Sequence, residues 1–315
     1  MANNLVMQSM NTLSRRNGHA KGFFLVLLAA FCYGLQPLFA QYAYVGGADP
    51  VGLLLARFSI AAGMLLVFLR WRGIPLPVGR LAGQNLLLGL GYGLAALGYY
   101  SAARSTSVSL AIILVYSFPA FVTAVSITWL GERTSALKLA SLTLALGGVT
   151  MATGLNLSGA SIGALWALFA AVCYGASIIY GTHRVVHENP LASAAMLLVG
   201  CALTFAVAAL VQGASLPSTP FAWGATIGLA LFATLVPVAA FLAGSPRIGP
   251  SAAATLSTVE PVVAVAIAVL LMGEQVTSIM FAGGLMVLLA AVFLARQEPV
   301  EPEIASLQGG AAGDQ

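Results

Sequence analysis

Apolar residues along this chain gather into continuous runs separated by short polar, glycine- or proline-containing breaks. The runs lie near 22–43, 51–69, 81–101, 107–130, 136–154, 161–181, 191–212, 220–243, 250–272 and 278–295. Runs of roughly 18 to 24 residues suffice to cross about 30 Å of hydrocarbon at 1.5 Å rise per residue. A membrane barrel would instead show segments of about ten residues alternating apolar and polar. The pattern therefore predicts an all-α integral membrane protein with ten transmembrane helices. Its connections are short, and the tails are residues 1–21 and 298–315.

Composition agrees with the runs. Of 315 residues, 60% are hydrophobic and 7% charged, against roughly 45 to 50% and about 25% in soluble domains. So few charges cannot cover a surface facing water. The net charge of +4 would suit a nucleic-acid partner, but the placement of the cations argues for insertion topology instead. With the first tail in the cytoplasm, Arg15, Arg16, Lys21, Arg70, Arg72, Arg80, Arg133, Lys138, Arg184, Arg247 and Arg296 all fall on that side, and Arg104 alone falls opposite. This bias predicts that both tails are cytoplasmic in a multi-pass protein of the cell (inner) membrane, with lipids as its surroundings. The first run is too long for a cleavable signal and recurs in mid-chain, so it reads as a span. Cys32, Cys173 and Cys201 lie inside spans and behave as small apolar residues.

The chain repeats itself at a separation of about 141 residues. Ala29, Ala30, Cys32, Tyr33 and Gly34 match Ala170, Ala171, Cys173, Tyr174 and Gly175. Pro119, followed by Gly131 and Glu132, matches Pro261, followed by Gly273 and Glu274, and Asp49–Pro50 resembles Asn189–Pro190. The two units span 22–155 and 160–297. Each holds five spans, and an odd number forces the second unit to insert upside down. The expected architecture is two inverted five-helix repeats, a plan typical of proteins that expose a central site to each side in turn.

On these residues the chain resembles the drug/metabolite transporter superfamily, specifically its EamA-type ten-helix permeases. The resemblance covers about residues 22–297 and is densest over Ala252 to Phe293. Tyr33 and Tyr174 stand where tryptophan is commoner, and Gln275 replaces the basic residue seen as Arg133. The resemblance implies a secondary transporter related to bacterial amino-acid and metabolite exporters.

Charges deep inside a span are the first candidates for chemistry. Glu260 falls near the bilayer midplane, where an ionised carboxylate costs roughly 2.5 to 3.5 kcal/mol on insertion scales. It either binds a substrate ammonium or a coupling proton, or locks its helix through a buried hydrogen bond. Arg57 either pairs with Glu260 or a substrate carboxylate, or caps carbonyls of a neighbouring helix. Pro119 and Pro261 each remove a backbone hydrogen bond within a span, predicting matched kinks that serve as hinges or static bends. Gln36, Tyr92, Tyr99, Tyr116, Trp166, Ser177 and Ser257 form the expected cavity lining, each weighed against a plain interhelical contact. Trp71, Trp129 and Trp223 near span ends read as interfacial anchors. Gly89 and Gly93 suit close helix packing, and Gly147, Gly148, Gly283 and Gly284 would also suit a homodimer, so the chain is expected as monomer or homodimer.

No glycine-rich phosphate loop ending in Gly-Lys-Ser/Thr is present, which speaks against nucleotide hydrolysis by that route. No histidine lies mid-span for an intramembrane hydrolase. His183 and His187, four apart, fall in a short connection and read as hydrated. The chain is expected to be no enzyme and to carry no cofactor or metal. The leading expectation is a secondary transporter exporting small neutral metabolites, amino acids above all, by alternating access. The alternatives are an exporter of cationic drugs and a non-transporting receptor or channel.

Overall fold

The computed structural model describes residues 19–129, 135–153, 161–184, 189–248, 253 and 256–295. The first-half Gly131–Glu132–Arg133 motif, His187, Arg296 and the two tails lie outside these residues. Among the described residues ten helices follow in order: α1 (His19–Val45), α2 (Pro50–Trp71), α3 (Gly79–Ser105), α4 (Val108–Thr128), α5 (Ala136–Thr153), α6 (Ser161–Arg184), α7 (Pro190–Gln212), α8 (Pro220–Ile248), α9 (Val259–Met272) and α10 (Ser278–Ala295). All but α5, α9 and α10 are long and apolar enough to cross a membrane unaided. His183 belongs to the last turn of α6 rather than to a loop.

Helix starts follow local chemistry. Pro50, Pro190 and Pro220 each open a helix, where a missing N–H costs nothing. The residues before them, Asp49, Asn189 and Thr219, accept hydrogen bonds from first-turn amides. Inner prolines break helices that the apolar runs predict as continuous. A turn at Tyr116 and Ser117 divides α4, and Phe118 and Pro119 begin its second half. A turn at Thr258 precedes α9, with Pro261 its third residue. Both prolines thus stand near the start of a half-helix, not at a kink in an unbroken one. Leu35 marks a break in α1 before Pro37, and the π-helical stretch Leu231–Leu235 interrupts α8 before Pro237.

The inverted repeat is visible in the packing. A Cβ on Gly34 of α1 would lie 2.6 Å from Val263 of α9, and one on Gly175 of α6 would lie 2.7 Å from Phe121 of α4. Gly34 and Gly175 are repeat equivalents, and so are Val263 and Phe121. The same contact is therefore made twice, each time between the two halves. Small residues permit such approach where no water drives helices together. Alanines supply much of the core, with Ala43, Ala61, Ala111, Ala167 and Ala195 fully buried. Phe24, Leu210 and Leu270 stay exposed on the outside, as lipid allows and water would not. Trp71 and Trp129 are also exposed at helix ends, whereas Trp223 is half-buried. Gly89 of α3 faces Gly200 of α7, and Gly148 of α5 faces Gly283 of α10, so these pairs are used within the chain.

Two faces of the bundle can be told apart. The face carrying the start of α1 and the end of α8 is the tail face, where Gly22 packs on Gly244 and Arg247. At the opposite, distal face, Asp49 binds the backbone of Ser215 and Glu274 binds α4. Gly273, at φ 72°, ends α9 in a left-handed turn in which the amides of Gly273 and Glu274 both donate to Ala268 O. That turn delivers the Glu274 carboxylate to the other half of the molecule. It accepts from Val108 N at 2.7 Å, Ser109 N at 3.0 Å and the Ser109 hydroxyl at 2.7 Å. Ser107 accepts from Leu110 N at 3.1 Å, so the first three amides of α4 are all met.

Two outcomes follow from this packing. Gly200→Leu, which drives a side chain into the α3 backbone, is expected to cost about 1–3 kcal/mol or more, whereas Gly224→Leu, facing open space, leaves the melting temperature in detergent near wild type. Glu274→Ala strands two α4 amides and is expected to cost about 1–3 kcal/mol, with Glu274→Gln closer to wild type in the same thermal melt.

Candidate functional site

Proline chemistry builds the centre. Pro261 has no N–H, so the Ser257 carbonyl four residues earlier loses its helical partner. In hydrocarbon that carbonyl needs a donor from elsewhere. Tyr116, at the break in α4, provides it: its hydroxyl lies 3.3 Å from Ser257 O and 3.0 Å from Glu260 Oε2. Glu260 sits in the first turn of α9, where the amide ends of the helix favour negative charge. Glu260, Tyr116 and the Ser257 backbone thus form one unit across α4 and α9, that is, across the two repeats.

Further aromatic rings lie in the same region as this carboxyl group. Tyr33, Tyr99 and Tyr174 stand within electrostatic reach of Glu260. Tyr92 packs edge-on against Tyr174 with ring centres 5.3 Å apart, and Phe118 does the same at 4.6 Å. Phe118 occupies in the first half the position that Glu260 holds in the second, each just before the matched proline. One half contributes a charge and the other a ring. Glu260, Tyr33, Tyr92, Tyr99 and Tyr174 all retain some accessible surface.

A second polar cluster lies on α2, α3, α1 and α8. Arg57, 4% exposed, donates from Nε to Thr234 Oγ1 at 2.8 Å, from Nη1 to the Tyr100 hydroxyl at 2.7 Å and from Nη2 to Ala233 O at 3.1 Å. Ala233 precedes Pro237 by four residues, so this carbonyl too has been freed by a proline, within the π-helical turn. Tyr100 in turn donates to Gln36 Oε1 at 3.3 Å. The guanidinium also lies over the rings of Phe58 at 5.0 Å and Tyr100 at 5.6 Å. Of the two sequence readings, the geometry matches an arginine that caps a neighbouring helix. Glu260 is within its electrostatic reach without a direct ion pair among the described residues.

The remaining expected lining residues divide. Tyr99 stands edge-on to Tyr100 at 5.2 Å, next to both clusters. The Ser257 hydroxyl is held by Ala253 O at 2.9 Å and the Ser177 hydroxyl by Cys173 O at 2.7 Å, each in its own helix. Ser177 also packs against Gly91, and Trp166 stacks edge-on with exposed Phe169 at 5.8 Å. The described contacts join Gln36, Arg57, Tyr92, Tyr99, Tyr116, Ser257 and Glu260 to the centre; Trp166 packs, with Tyr99 and Phe118, against the buried cluster that holds Tyr116, and the Ser177 hydroxyl bonds within its own helix. Tyr33, Tyr100, Tyr174 and Thr234 escaped the sequence reading. Tyr33 and Tyr174 carried a signal, since they hold one register in both repeats. Among the described residues no three His, Cys, Asp or Glu side chains converge as a metal would need.

The Arg57 network yields a stability test. Arg57→Ala abandons the Ala233 carbonyl and the two hydroxyls and is expected to cost roughly 2–4 kcal/mol. Thr234→Val, which breaks one of the three bonds, costs less when both are compared by unfolding in mixed micelles.

Comparison with known proteins completes the picture. The model of the EamA-like transporter family matches twice, over residues 20–154 and 161–296. The "Uncharacterized inner membrane transporter YedA" of Escherichia coli K12 is 28% identical over 235 residues, 73% of this chain and 76% of its own. The "Uncharacterized transporter YcbK" of Bacillus subtilis 168 is 25% identical over 280 residues, 84% of this chain and 89% of its own. A solved crystal structure superposes with a TM-score of 0.60 over 87% of this chain and 96% of its own at 17% identity, which shows the shared fold alone. With the family pattern matched in both halves of a duplicated ten-helix bundle, the chain belongs to the EamA-like transporter family.

Proposed function

We propose that this protein is a secondary transporter of the inner membrane that exports small neutral metabolites, amino acids above all, by alternating access. The observation that carries the reading is the Glu260–Tyr116–Ser257 unit, which joins the two repeats inside a shell of tyrosines. A single carboxylate among aromatic rings offers a place for an ammonium group, held by charge and by the ring faces. The hydroxyls of the shell offer hydrogen bonds to a polar neutral remainder. The breaks in α4 and α9 stand at equivalent places in the two halves, and they serve as paired pivots on which the repeats exchange conformations. The excess of cations on the tail side of the sequence supports cytoplasmic tails.

The same shell also favours a second reading, an exporter of organic cations, since a carboxylate ringed by tyrosines is the usual recognition device for quaternary ammonium groups. Substrate range separates the two.

In liposomes loaded with unlabelled leucine, the purified protein is expected to accelerate entry of labelled leucine through exchange. Glu260→Gln is expected to lower that exchange by about tenfold, one charge-assisted contact. Exchange of ethidium but of no amino acid would replace the first reading by the second. Flux that neither saturates nor shows counterflow would remove both.

A further inference from the structure

One cavity lies beyond the central unit toward the distal face. It measures about 190 Å³, is open on one side, and is lined by α1 and α3, the first residue of α4 and the last of α9. That is below the roughly 300–1,000 Å³ of drug-sized sites and suits a small metabolite. Its walls are the rings of Tyr44, Tyr99 and Tyr100 together with Met272, and its polar members include Gln41 and Arg104. Tyr100 belongs to the Arg57 network and Tyr99 to the shell around Glu260, so the cavity is continuous in its lining with the candidate site. Val108, which donates to Glu274, lines it on the distal side.

Three features show what the cavity lacks. The buried hydroxyl of Tyr44 has no hydrogen-bond partner among the described residues, although a buried polar group ordinarily finds one. The Arg104 guanidinium is laid over the Tyr44 ring at 5.6 Å. No described carboxylate is paired with it: Asp49 is taken by the amides of Gly52 and Ser215, and Glu274 by those of α4. Among the described residues, an exposed cation without a counter-ion thus stands beside a buried hydroxyl without a partner, at the edge of an otherwise apolar space. A carboxylate on an apolar body meets all three features at once, because guanidinium presents paired donors matched to its two oxygens.

We propose that this cavity is a vestibule site for apolar monocarboxylates, α-amino acids included, in which Arg104 binds the carboxylate and Tyr44 donates a second hydrogen bond. The proposal rests on the transporter reading and extends it: substrate is held first by its acid end at the distal mouth and then, further in, by its ammonium end at Glu260, as two successive positions.

The test measures equilibrium binding of labelled isocaproate, which has the carbon skeleton of leucine and no amine, to the whole protein in phosphatidylcholine nanodiscs. Isoamylamine, with the amine and no acid, serves as the opposite probe. Isocaproate is expected to bind, and Arg104→Gln to weaken it by about tenfold, the equivalent of one charged hydrogen-bonded contact. Arg104→Lys retains most of the affinity. Tyr44→Phe, which keeps the ring and serves should Arg104→Gln fail to fold, weakens it by about threefold. Isoamylamine binding does not respond to Arg104. The proposal is overturned if wild type binds neither isocaproate nor leucine, or if folded Arg104→Gln and Tyr44→Phe both bind isocaproate as wild type does. It is equally overturned if phosphatidylglycerol, and not isocaproate, raises the melting temperature in an Arg104-dependent manner, since the site then serves a lipid headgroup. Leucine exchange with unaltered isocaproate binding in the variants sinks the vestibule alone. Arg104-dependent isocaproate binding without amino-acid exchange sinks the amino-acid reading alone.

Discussion

A carbonyl freed by proline inside hydrocarbon has no water to turn to, and this protein answers that need twice with side chains from another helix. Pro261 frees the Ser257 carbonyl, and Tyr116 meets it from α4. Pro237 frees the Ala233 carbonyl, and Arg57 meets it from α2. Each answer crosses from the first repeat to the second. The broken helices are therefore also the places where the halves are tied, and a change in either tie alters the fit between repeats. Because a side-chain donor can move away from a carbonyl more readily than a helix can unwind, such ties suit a protein whose halves must shift.

The Gly–Glu motif has a similar double use. In α9 the glycine supplies the left-handed turn and the glutamate the anion that ends α4. One helix C-terminus is thereby joined to the N-terminus of its repeat partner. Favourable placement of a carboxylate against helix amides accounts for the residue types without a direct part in substrate chemistry.

Function in the proposed sense enters where the symmetry is broken. Gly34 and Gly175 pack alike, and Tyr33 and Tyr174 hold the same register. Glu260 and Phe118 do not match: one equivalent position carries a charge and the other a ring that packs on Tyr174. The scaffold is shared between halves, while the charges deep inside the spans are not duplicated: Glu260 belongs to the second half and Arg57 to the first. A lone carboxyl among hydroxyls and rings discriminates by charge without demanding a large, strongly charged ligand.

The helices, their approximate ends, the duplication and the inversion were all determined by sequence, because hydrocarbon thickness and backbone satisfaction act on each segment separately. Asp49–Pro50 and Asn189–Pro190 start helices for reasons contained in two residues, and Glu260 announced itself as a charge at the midplane. What Glu260 touches was not local information. Neither was the partner of Arg57, which rests on a carbonyl 176 positions away, nor the destination of Glu274, which lies 166 positions back at Val108. Ser177 was named by residue type, yet its hydroxyl bonds its own helix backbone, and Trp166 packs against both Phe169 and the cluster that holds Tyr116. Rotation about a helix axis is set by which neighbour packs on which face, and in an all-round apolar helix the chain carries little periodic signal for it. Tertiary packing alone decided those contacts, because only it brings a freed carbonyl and a distant donor within bonding distance.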